Sequence, residues 1–148
     1  MVQIIFLINN AADTLSVDIS NSEISYSPVR YEFALTHDNG QNIPTTASIQ
    51  VTFPTDYNNI PSPVTCDNGD SVILSCNVNT ATRTITITDY FASGGFHGSV
   101  ISFIISGLRN PDKAGTFSIS TTITSGATTL SSASGSVRIV EGTGNIYF

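Results

Sequence analysis

The chain has 148 residues, of which 40% are hydrophobic and only 11% charged, and eleven acidic against five basic side chains leave a net charge of −6. That length supports one domain with a sizeable core, and low charge with a mean hydropathy of +0.15 excludes an intrinsically disordered chain. The five cations, Arg30, Arg83, Arg109, Lys113 and Arg138, are scattered, which excludes a basic footprint for nucleic acid and disfavours anionic membrane surfaces.

Taken in chain order, the first element is the apolar run Met1 to Ile8, "MVQIIFLI". Alternation places Val2, Ile4, Phe6 and Ile8 on one face and Ile5 and Leu7 on the other. The run lacks a basic leader and is at the short limit for a signal peptide. Residues 1–12 are read as an apolar strand followed by a hinge at Asn9 to Ala12, and residues 13–148 as a single domain. No apolar run approaches the ~18 residues of a spanning helix, so no membrane insertion is expected.

Period-2 alternation then dominates. Leu15, Val17 and Ile19 share a face, as do Tyr31, Phe33 and Leu35, and then Ile49, Val51 and Phe53. Ile85 and Ile87 point inward among polar neighbours. Ile101, Phe103 and Ile105 line one face of the next run, with Val100 and Ile104 on the other, the pattern of a central strand buried on both sides. Phe117, Ile119, Thr121 and Ile123 alternate, and Val137 with Ile139 closes the series. Turn signals separate the runs: Asp38-Asn39-Gly40, Ile60 to Pro63, Asp67-Asn68-Gly69, Ser93-Gly94-Gly95, Asn110-Pro111-Asp112 and Ser125-Gly126. The expectation is an all-β antiparallel sandwich, immunoglobulin-like or jelly-roll-like, of about eight to ten strands with no significant helix.

Cys66 and Cys76 flank a turn that reverses the chain, and a disulfide between them is the reading for an oxidising compartment. Their spacing is far shorter than that of an antibody-type intersheet bridge. Ser and Thr make up about a quarter of the chain and wet the surface with hydroxyls. They leave O-linked glycan open as a partner, whereas no Asn-x-Ser/Thr sequon occurs.

Few residues suggest chemistry. His37-Asp38 and His97 with Ser99 lack any nucleophile elbow, and both histidines fall in stretches read as solvated turns. Isolated carboxylates give no glycosidase pair. Asp67 to Asp70 lacks the ligand spacing of a calcium loop, and no metal or other cofactor is expected. Tyr57, Tyr90, Phe91 and Phe96 are the candidates for an exposed sugar-stacking platform.

The stretches "YEFALTHDNGQNIPTTASIQVTFPTDY", "SCNVNTATRTITITDYF" and "ISFIISGLRNPDKAGTFSISTTIT", covering about residues 29–124, resemble a repeat of very large surface proteins of ciliates and related protists. The matching positions are Ile43-Pro44, Ile49 to Tyr57, Cys66, Cys76, Thr84 to Ile87, Ile101 to Pro111 and Thr116 to Thr121. The resemblance implies an extracellular or cell-surface β-sandwich with no enzymatic activity. It does not extend to the first dozen residues. Sheet edges poor in charge look unguarded, so the favoured expectation is a structural subunit of a fibre. Val2, Ile4, Phe6 and Ile8 would complete a neighbouring copy by β-strand addition, making the chain its own partner. Ile146, Tyr147 and Phe148 are a candidate C-terminal junction. The alternative is an adhesion or carbohydrate-binding module of a larger surface protein.

Overall fold

Residues 12–37 and 42–143 are described by the computed structural model. The assembly residues Val2 to Ile8 and the C-terminal Ile146, Tyr147 and Phe148 therefore lie outside the described residues. Among the described residues the alternating runs fall in ten strands: β1 Thr14–Ile19, β2 Val29–Thr36, β3 Ser48–Thr52, β4 Thr65–Asp67, β5 Ile73–Leu74, β6 Cys76–Asn79, β7 Thr84–Ile87, β8 Val100–Leu108, β9 Gly115–Ser125 and β10 Thr128–Ile139. No helix occurs among the described residues.

The strands form two five-stranded antiparallel sheets, ordered β1-β2-β8-β4-β5 and β10-β9-β3-β7-β6. Their inner faces carry the residues that alternation placed there. Tyr31, Phe33 and Leu35 of the first sheet, with Ile101, Phe103 and Ile105, meet Ile49, Val51, Ile85, Ile87, Ile119 and Ile123 of the second. Burial of each such aliphatic or aromatic side chain contributes about 1.5–3 kcal/mol. Aromatic rings fill the middle: Phe33 stacks on Phe103 with centroids 4.8 Å apart, and Phe53 meets Tyr31 edge-on at 5.8 Å.

The two open edges of the sandwich are closed differently. On one side β1 crosses β10 so closely that a Cβ on Gly135 would sit 2.7 Å from the Leu15 carbonyl oxygen. Glycine is required there by the approach of two backbones. On the other side Cys66 of β4 and Cys76 of β6 form a disulfide across a sequence separation of 10. Because β4 and β6 belong to different sheets, the bridge is an intersheet staple despite its short loop. Two-residue β5 between them lets the chain change sheets within that loop.

β8 occupies the centre of its sheet, but it is not buried on both sides throughout. Ile104 is 7% exposed, whereas Val100 is 49% exposed. Ile104 pairs with Asp67 of β4, whereas β4 does not extend as far along β8 as Val100.

Candidate functional site

The unusual residues of the resemblance motifs converge in the interior. Tyr31 on β2, Tyr57 after β3 and Asn110 after β8 form one buried polar cluster. The Tyr31 hydroxyl donates to Asn110 Oδ1 at 2.7 Å, and the Tyr57 hydroxyl lies 2.9 Å from that of Tyr31. The Asn110 amide nitrogen donates to the carbonyls of Asn21 and Glu23 at 2.9 and 2.8 Å. Its backbone N–H donates to Tyr26. Asn110 thus ties the β1–β2 connection to the end of β8. Asp112 continues the clamp by accepting from Ser25 Oγ at 2.6 Å and Arg109 at 2.7 Å, which lower its pKa in that order. Burial raises the Tyr57 pKa to about 12 and pushes that of Tyr31 upward as well. Tyr31, Tyr57 and Asn110 are each at most 2% exposed, and their polar groups bond to one another and to loop carbonyls.

Tyr57 is 2% exposed and Phe91 1%, so these two candidates for a stacking platform belong to the core. Phe53 turns inward as period-2 alternation placed it, and Tyr57 follows it into the core through a turn whose Tyr57 N–H donates to the Pro54 carbonyl. Tyr90 is half-buried and donates to the Ser102 carbonyl at 2.9 Å, capping the part of β8 that β4 does not reach. Phe96 is half-buried as its backbone pairs with Ile43.

His37 is likewise buried rather than solvated. Its Nδ1 lies 3.5 Å from Asp13 Oδ2, the oxygen that also accepts from Ser131 Oγ. Here the serine donates to the acid and not to a histidine, and the group sits at the closed β1/β10 edge. This is the arrangement of a structural polar contact, not of an activated nucleophile. His97 is exposed, and the Ser99 carbonyl accepts the His37 N–H.

In the turn between the cysteines, Asp67 Oδ1 accepts the Gly69 N–H at 2.8 Å and Asn68 Oδ1 accepts those of Asp70 and Val72. These oxygens close Asx turns. Among the described residues no three His, Cys, Asp or Glu side chains come together as a metal site.

The two outer faces differ in chemistry. On the second sheet, register aligns Asn77, Thr86, Gln50, Thr122 and Ser132 in one row and Asn79, Thr84, Thr52, Ser120 and Ser134 in the next. Both rows are uncharged. On the first sheet a single row runs Asp18, Glu32, Ile104, Asp67, Ile73. Beside it lies a half-open cavity of about 220 Å³. The sequence reading missed this row because its five residues come from five separate strands.

No family model and no curated protein sequence matches the chain. Its fold is similar to that of solved bacterial domains at low identity. One is the N-terminal domain of a Streptococcus gordonii adhesin, at 12% identity and TM-score 0.54, covering 85% of this chain and 32% of that one. Another is the BSP domain of a biofilm-associated protein, at 10% and 0.57, covering 91% and 30%. A third is the major pilin subunit of Bacillus cereus, at 12% and 0.51, covering 89% and 41%. The chain spans about a third of the length of the first adhesin domain. The likeness shown is thus to bacterial surface-protein β-sandwiches, and it adds nothing to the narrower resemblance to protist repeats.

Proposed function

We propose that this chain is a structural or adhesive module of an extracellular surface or pilus-like protein and not an enzyme. The observation that carries the reading is a two-sheet sandwich similar in fold to adhesin, biofilm-associated and pilin domains, here stapled by Cys66 and Cys76. An oxidising, extracellular setting suits the disulfide. The motif residues with chemical capacity, Tyr31, Tyr57 and Asn110, are engaged in joining loops, which supports a load-bearing role.

Within that reading, the apolar Val2, Ile4, Phe6 and Ile8 add as a strand to a neighbouring copy and build a filament. Burial of four or five large side chains would contribute on the order of 8–12 kcal/mol before the entropic cost of association. Negative-stain microscopy of the chain with and without residues 1–10 tests this. Filaments from the first and monomers from the second are expected. Identical monomers from both overturn strand addition and leave the adhesive module, which binding to an immobilised glycan array then examines.

A further inference from the structure

We propose that the outer face of the first sheet is a docking surface for an extended cationic segment of another protein, and that the cavity beside Glu32 receives one lysine or arginine side chain. Three kinds of observation meet on this face.

The first is charge. Asp18 stands directly opposite Glu32 across the β1–β2 pair, a like-charge pairing that costs stability in the free protein. Arg30, 2.9 Å from Glu32, offsets one of them. Asp67 in the same row leaves the face with a net negative charge. The second sheet's rows hold no acid at all, so the acidity is local and does not merely follow the chain's overall charge.

The second is shape. The cavity lining includes the acids Asp18 and Glu32, the Arg30 that pairs with Glu32, and the uncharged Ala34, Ser102 and Ile104. At about 220 Å³ it falls below the ~300–1,000 Å³ of pockets for drug-sized ligands. It suits one long side chain. Apolar Ala34 and Ile104 in a lining with two carboxylates match a methylene stem ending in a cation, with Asp18 the carboxylate that Arg30 does not pair.

The third is apolar exposure. Among the described residues the exposed large hydrophobic side chains are Tyr26, Val72, Ile73 and Val100. Ile73 ends the acidic row, Val72 adjoins it, and Val100 lies on β8 beyond Ser102 on the same outer side. An extended partner with alternating basic and apolar residues would meet both features at once. A second copy of this chain fits less well. Arg109 and Lys113 are paired with Asp112 and Asp56, Arg83 donates to the Phe53 carbonyl, and Arg30 already lies on this face, which leaves exposed Arg138 as a single cation and not an alternating basic series.

The test is a titration of the ¹⁵N-labelled protein with a short peptide alternating lysine and valine, and with its glutamate–valine counterpart. Amide shifts confined to Asp18, Glu32, Ala34, Ser102 and Ile104 with the lysine peptide alone are expected. Asp18→Asn with Glu32→Gln should weaken binding about five- to tenfold. Glu23→Gln with Glu141→Gln makes the same change in net charge away from this face and should leave binding unchanged. Equal weakening by both pairs, shifts on the second sheet, or no binding of the lysine peptide would each overturn the proposal. The same shifts appearing without peptide as protein concentration rises would assign the face to a second copy and overturn it too. The shift map needs no variant, so a poorly folding variant does not block the answer. None of these outcomes bears on strand addition by residues 1–8, which the truncation reads separately.

Discussion

Replacing Asn110 by alanine removes a side chain whose three hydrogen bonds, at 2.7, 2.9 and 2.8 Å, join β2 and the β1–β2 connection to the end of β8. A buried hydrogen bond contributes about 1 kcal/mol net, and more when its partner is left without a substitute. The carbonyls of Asn21 and Glu23 are partly accessible and regain water, so the total is about 3 kcal/mol and not the upper limit. For a chain of this size that corresponds to a fall in Tm of about 6–12 °C. Urea unfolding with the disulfide intact measures it, and a lower midpoint at unchanged slope is the expected result. A double-mutant cycle with Tyr31→Phe should return a coupling of at least ~0.5 kcal/mol, since the two residues share a bond. A loss below about 1 kcal/mol, or strict additivity with Tyr31→Phe, would refute the view that this cluster clamps the loops.

Gly135→Ala should lower stability by about 1–3 kcal/mol, because the new Cβ meets the Leu15 backbone. The opposite sign, the ~0.4–1 kcal/mol gain usual for a permissive glycine, would show that the β1/β10 edge yields, and thermal melts decide between them. Cys66→Ala with Cys76→Ala should cost about 2–3 kcal/mol in chemical unfolding through the short loop they close, and no loss would argue against the staple. Stability should also fall as pH rises above about 10 towards 12. Tyr31 and Tyr57 ionise near their ordinary value in the unfolded chain but keep their protons when folded, so the folded state binds more protons in that window. Urea midpoints at neutral and alkaline pH should show the fall, and Tyr31→Phe with Tyr57→Phe should remove most of it. An undiminished fall in that variant would refute the assignment.

Much of the architecture was legible in the sequence, for a local reason. Side chains alternate across a strand with period 2, so runs such as Tyr31-Phe33-Leu35 and Ile101-Phe103-Ile105 declare both the element and its buried face. Turn residues mark where each run stops, and two cysteines around a reversal are within reach of each other. Only the tertiary structure decided what is set by strand order. It made the Cys66–Cys76 bridge an intersheet staple, since β4 and β6 lie in different sheets. It turned Tyr57 from a surface candidate into a core donor, and His37 from a turn residue into a buried one. It also assembled Asp18, Glu32, Asp67 and Ile73 into one row. A sequence fixes which face of its own strand each of these residues occupies. Which strands lie beside it depends on long-range pairing, whose register no local pattern contains.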